Sequence, residues 1–254
     1  MARLICVFVL AALVTSAFFM SGYASSTDQK PLMLDSGAGL KKPMDTLIEK
    51  YHKEKGVTVI PNYGSAGGLY AQIEKGQPCD LFLPADWLYI DKLKNEGKIV
   101  DSKKFLRDHV VLIVSKTGEK KGIKSATDLT KDGMTVAVCD KRAPVGRYTE
   151  NVLKSLGIWD TLQKKGNIKA QPVTVNQAAL MVRNDDVDAA FVFSSTANLY
   201  GLHYAEKYSP AQSGDITFGL GTIKGGNEAQ AKNFMDYLIQ NAGEFERYGW
   251  ERYA

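Results

Sequence analysis

From residue 31 to residue 96 the apolar positions alternate between short continuous runs and helical spacing. Pro31-Leu32-Met33-Leu34 predicts a short buried strand, ended by Asp35-Ser36-Gly37-Ala38-Gly39. Leu40, Met44, Leu47, Ile48 and Tyr51 then recur at the spacing of one helix face, and Gly56 supplies a stop. Residues 57–60 read as the next strand, 64–68 as a turn, and 69–74 as a helix ending at Gly76. Residues 80–83 again predict a strand and 86–96 a helix.

The same alternation restarts further on. Residues 109–115 form a β-branched run, and Ser125 caps a short helix at Asp128-Leu129. Strands are predicted at 134–139, 172–175, 189–193 and 219–223, and helices at 146–156, 177–183 and 227–240. The last helix carries Ala231, Phe234, Met235 and Leu238 on one face. Strands alternating with helices predict α/β architecture, with parallel strands covered by helices on both faces. Two such runs, with the chain returning at its end, predict two lobes joined by crossings near Asp108 and near residues 214–218. Lobe one is expected over 28–107 plus 219–254, and lobe two over 108–218. No internal repeat or low-complexity segment interrupts the pattern.

The first residues follow a different rule. Arg3 precedes an apolar run from Leu4 to Met20, broken only by Thr15 and Ser16, and Gly22 and Ala24 are small. This is the order of a secretory signal peptide over residues 1–24, cleaved after Ala24. The run is shorter than the roughly 20 apolar residues a membrane span needs, which argues against a retained anchor. No Cys follows it to be acylated. The mature chain is expected to be soluble and periplasmic. The formal net charge is only +4, spread over both signs, so nucleic acid is not an expected partner. Removal of Cys6 with the leader leaves Cys79 and Cys139, expected as two buried, reduced thiols rather than a disulfide.

In an open α/β sheet, ligands bind beyond the carboxyl ends of the strands, in the loops that run into helices. Four such loops stand out: residues 35–39, 63–68, 143–146 and 175–176. Each is small or glycine-bearing and each opens a helix. A helix start presents unpaired N–H groups and the positive end of the dipole, and glycine admits close approach. Arg147 is the one basic side chain beside these loops, and reads as a surface residue of a first helical turn. Enzyme chemistry finds little support. His52, His109 and His203 all lie outside the loops, and no nucleophile elbow, metalloprotease helix or phosphate loop is present. A secreted hydrolase built on Asp35, Asp80 or Asp86 is the alternative, although Asp80 looks like a strand-start residue.

These same segments resemble the periplasmic molybdate-binding proteins of ABC importers. The similarity rests on Tyr63-Gly64-Ser65-Ala66-Gly67-Gly68 leading to Gln72-Ile73, Gly76, Asp80-Leu81-Phe82 and Ala85-Asp86. It continues through Pro144-Val145-Gly146-Arg147-Tyr148, Leu156-Gly157-Ile158-Trp159-Asp160, residues 176–193, Lys224-Gly225-Gly226-Asn227 and Tyr248-Gly249-Trp250. The resemblance implies a type II periplasmic binding protein fold. Each lobe would be a mixed, mainly parallel sheet flanked by helices, closing on a tetrahedral oxyanion in the interlobe cleft. It implies molybdate or tungstate as ligand, an ABC permease membrane complex as partner, a monomer, no catalytic residue, no cofactor and no direct cation ligands. Carried over by position, the family's first serine ligand falls on Gly39 and its second on Ala66, with Ser65 beside it. Its backbone donors fall on Val145 and Val175, and its tyrosine hydroxyl on Phe193. The family's three hydroxyls are thus absent at the matching positions, and Ser36, Ser65, Ser194 and Ser195 are near enough to replace them. The departure leaves another small anion, or a metal, as the alternative ligand.

Overall fold

The computed structural model describes residues 30–253, so the expected signal peptide lies outside the described residues. The chain runs through β1 (Leu32–Gly37), α1 (Lys41–Lys55), β2 (Val59–Gly64), α2 (Ala66–Glu74), β3 (Leu81–Leu83), α3 (Trp87–Asn95) and β4 (Ile99–Arg107). It continues with β5 (Val110–Val114), α4 (Lys116–Lys120), β6 (Val136–Ala137), α5 (Pro144–Ser155), α6 (Trp159–Lys165), β7 (Ile168–Ala170), α7 (Val175–Arg183), β8 (Ala189–Phe193), α8 (Ser194–Tyr200), β9 (Tyr204–Lys207) and α9 (Pro210–Ser213). It returns through β10 (Thr217–Ile223), α10 (Glu228–Gln240), α11 (Gly243–Glu246) and β11 (Glu251–Arg252).

The strands form two sheets, ordered β11-β4-β10-β3-β1-β2 and β7-β6-β8-β5-β9. Both are mixed. Parallel ladders are confined to β2-β1-β3 and β7-β6-β8, and antiparallel ladders appear where β4, β5 and β10 join. The antiparallel share is larger than the alternation alone suggests, because crossing strands must enter each sheet in the opposite sense. The chain leaves the first sheet at Arg107 and enters the second at Val110, and it returns to the first at Thr217.

Local rules explain most elements. Helix α1 buries Pro43, Met44, Leu47 and Tyr51 and ends on Gly56, whose φ of 68° suits the left-handed cap. Helix α10 starts on Asn227 and buries Ala231, Phe234, Met235, Tyr237 and Leu238. The Asp80 carboxylate accepts from the backbone N–H groups of Met33 and Asn227, both at 2.7 Å, and so ties β1 to the start of α10.

The structure corrects one local expectation and adds two elements that the sequence reading does not predict. Residues 172–175 are not a strand; the strand is Ile168–Ala170, and Thr174 caps α7. Gln177 accepts from the N–H groups of Val173 and Thr174, so a reciprocal cap claims the backbone that a ladder would need. Strand β4 escapes sequence reading because Asp101, Ser102, Lys103 and Lys104 hide its alternation. On its other side the described chain meets it near its end, at Phe105, Leu106 and Arg107, so the outer edge of its first residues tolerates polar side chains. Helix α8, directly after β8, likewise carries no signal that the sequence reading picks up.

Candidate binding site

Between the two sheets lies a cavity of about 30 Å³. The first half of the molecule supplies Gly37, Ala38 and Gly39 after β1, and Gly64, Ser65 and Ala66 at the start of α2. The second half supplies Ala143, Pro144 and Val145 at the start of α5, Thr174 and Val175 at the start of α7, and Phe193 and Thr196 around the start of α8. Phe218 and Trp250 close the remaining wall. All four sequence-selected loops therefore meet at one place. Of the selected residues, Gly39, Ser65, Ala66, Val145, Val175 and Phe193 line the cavity. Ser36 does not; it is fully buried beside it on β1 with its hydroxyl unpartnered.

Helices α2, α5 and α7 all begin at the wall. The N–H groups of Ala66, Val145 and Val175 lie in first turns, where a helix cannot satisfy its own donors. Pro144 opens α5 at a position where a missing N–H costs nothing. Gly146 cannot carry a side chain, because a Cβ there would run into the carbonyl oxygens of Cys139 and Asp140. Among the described residues no ionisable side chain lines the cavity. Two buried donors that do line it have no partner among the described residues, the Thr196 hydroxyl and the Trp250 indole N–H.

The serines offered as replacement hydroxyls fare differently. The Ser65 hydroxyl oxygen caps α2, accepting from the Gly68 N–H at 3.2 Å, and its own proton remains available. Ser194 donates to Asp108 at 2.6 Å, and Ser195 donates to the other carboxylate oxygen. Asp108 also accepts from the N–H of His109. Both serines are thus consumed at the crossing between the sheets, and neither lines the cavity. Thr196 lines the cavity although no local pattern in the sequence marks the start of α8.

Arg147 is not a free surface residue. Its guanidinium pairs with the carboxylate of Asp86, which also caps α3 by accepting from Leu88 N–H at 2.9 Å. Two further contacts join the halves: Gly67 N–H donates to the Arg142 carbonyl at 3.0 Å, and the Asn176 side-chain amide donates to the Ala38 carbonyl at 2.7 Å. The three carboxylates of the hydrolase alternative lie outside the cavity. Asp35 accepts from Asn62, Asp80 holds two backbone donors and Asp86 holds Arg147, and none lines the cavity. Cys79 and Cys139 are buried free thiols.

Two sheet-and-helix halves, joined by crossing strands and enclosing a small site of helix starts between them, define a solute-binding protein of the two-lobed type. The model for bacterial extracellular solute-binding proteins matches residues 32–251, and the chain belongs to that family. It is 30% identical over 245 residues to the molybdate-binding protein ModA of Escherichia coli K12, covering 92% of this chain and 93% of that one. A solved substrate binding domain from Clostridium difficile is 30% identical with a TM-score of 0.66, covering 88% of this chain and 99% of that one. The periplasmic molybdate-binding protein of Azotobacter vinelandii shares the fold, at a TM-score of 0.75 and 22% identity over 87% of this chain and 98% of that one.

Proposed function

We propose that this protein is an exported periplasmic binding protein that captures a tetrahedral oxyanion, molybdate or tungstate, and delivers it to an ABC permease. The observation that carries this reading is a cavity with two unpartnered buried donors, three helix starts in its wall and, among the described residues, no ionisable side chain. Backbone N–H groups at three helix starts favour negative charge, and a hydrogen bond to a charged acceptor contributes about 1.5–3 kcal/mol. A few of these hold a dianion without Arg or Lys. The volume of about 30 Å³, set against roughly 10–15 Å³ for one water, suits a small inorganic ion rather than a sugar or amino acid. No carboxylate is present to accept a proton from the ligand, which disfavours protonated phosphate. The similarity to molybdate-binding relatives supports the same ligand class.

In this reading residues 28–107 with 219–254 move against residues 108–218, the leader is cleaved after Ala24, and the mature chain binds as a monomer without catalysis. The test is calorimetric titration of protein beginning at Ser25 with molybdate, tungstate, sulfate and phosphate. Molybdate or tungstate should bind with the lowest Kd. Failure of all four to bind would remove the oxyanion reading.

A further inference from the structure

Helix α8 presents three consecutive hydroxyls, Ser194, Ser195 and Thr196, all buried. The first two are held by Asp108. Only Thr196 is left without a partner, and only Thr196 of the three lines the cavity. It is fully buried, so its polar atom cannot turn to bulk water. A buried hydroxyl without a partner is costly, and such groups in folded proteins are ordinarily satisfied. Its position is also defined. A Cβ built on Gly39, across the cavity in the other half, would stand 3.6 Å from the Thr196 oxygen and 3.2 Å from Val175 Cγ1. The hydroxyl therefore lies within van der Waals reach of the loop after β1, at Gly39. Asp108 fixes this arrangement as a positioning residue, because its four accepted hydrogen bonds hold the first turn of α8 against the crossing strand.

We propose that Thr196 is a ligand-contacting hydroxyl of the oxyanion site, donating from α8 to a ligand oxygen. It would add a hydroxyl from the second half of the molecule to that of Ser65 from the first. The inference rests on the oxyanion reading and adds to it a residue that chooses ligands by hydrogen bonding rather than by charge.

The test compares Thr196→Val and Thr196→Ser with the unaltered protein, by molybdate titration and by thermal melting with and without molybdate. Valine keeps the branched shape and deletes the donor. Thr196→Val should weaken molybdate binding at least tenfold, whereas Thr196→Ser should stay within about threefold. Removing an unpartnered buried hydroxyl should leave the melting temperature of ligand-free Thr196→Val unchanged or higher, while its molybdate-induced shift falls. A residue of merely structural importance would instead lower the ligand-free melting temperature. An unchanged Kd for Thr196→Val, in a protein that binds molybdate when unaltered, overturns the role of Thr196 alone. Failure of the unaltered protein to bind any of molybdate, tungstate, sulfate and phosphate overturns the oxyanion reading and this inference with it.

Discussion

The Arg147 guanidinium on the first turn of α5 is paired with the Asp86 carboxylate that opens α3, so an ion pair spans the two halves beside the cavity. Asp86 is buried and Arg147 is about one-third exposed, which makes the pair more than a screened surface contact. Its place next to Val145, without lining the cavity, separates two roles for positive charge. It can hold the halves together without touching ligand.

Loss of this pair should therefore act through closure. Arg147→Ala leaves the Asp86 carboxylate without its cation and is expected to weaken molybdate binding by about fivefold, roughly 1 kcal/mol, mainly through a faster off-rate. Solution scattering should show a smaller radius of gyration at saturating molybdate for the unaltered protein, and a smaller contraction for Arg147→Ala. Complete loss of binding in a folded Arg147→Ala protein would mean that the cation itself holds the ligand.

Deleting a backbone donor should cost more. Val145→Pro removes one N–H from the first turn of α5, where proline is otherwise tolerated. The expected loss is about 1.5–3 kcal/mol, or roughly ten- to a hundredfold in Kd. Circular dichroism must show an intact fold, because proline also restrains Pro144. A smaller effect than that of Arg147→Ala would reverse the assignment of the two residues.

Phe193 offers a gain-of-donor experiment. Its ring lies at the cavity wall with Tyr148 and Phe218 as aromatic neighbours, at centroid distances of 6.4 and 5.7 Å. Phe193→Tyr adds a hydroxyl and should hold or lower the molybdate Kd. Weakening beyond about threefold would show that the wall has no room for the added oxygen.

Burial pushes the Asp108 carboxyl above its ordinary value, against the opposing pull of the Ser194 and Ser195 hydroxyls. The folded chain therefore holds this proton more tightly than the unfolded chain does. The stability from Asp108 is greatest below the ordinary carboxylate value of about 3.9 and declines as pH rises through the raised folded value. Asp108→Asn cannot titrate. The melting-temperature advantage of the unaltered protein over Asp108→Asn should be largest near pH 4 and shrink toward pH 7; a pH-independent difference would contradict the shift.

The two thiols provide a check on burial. Desolvation pushes Cys139 up to about 12 and raises Cys79 as well, so neither is a ready thiolate at pH 8. Protein beginning at Ser25 should show no fast reaction with a thiol reagent when folded and two reactive thiols when denatured. Fewer than two on denaturation would reveal an oxidised pair.

What the sequence by itself determined is local. The face of α1, its stop at Gly56, the Ser125 cap and the small residues opening α2, α5 and α7 all follow from spacing within a few residues, because one buried face imposes its period on neighbouring positions. The order of strands and helices then pointed to the loops at one end of each sheet, which the structure brings together around one cavity. Only the tertiary structure decided which hydroxyls are free and which charges are paired. Ser194 and Ser195 lie 86 and 87 residues from the Asp108 that consumes them, and Arg147 meets Asp86 across the cleft. Such pairings depend on how two sheets pack against each other, and no periodicity in either strand or helix records that. Thr196 acquires its place in the cavity for the same reason: its two neighbours are drawn to the crossing strand, and the turn of α8 carries the third hydroxyl toward Gly39.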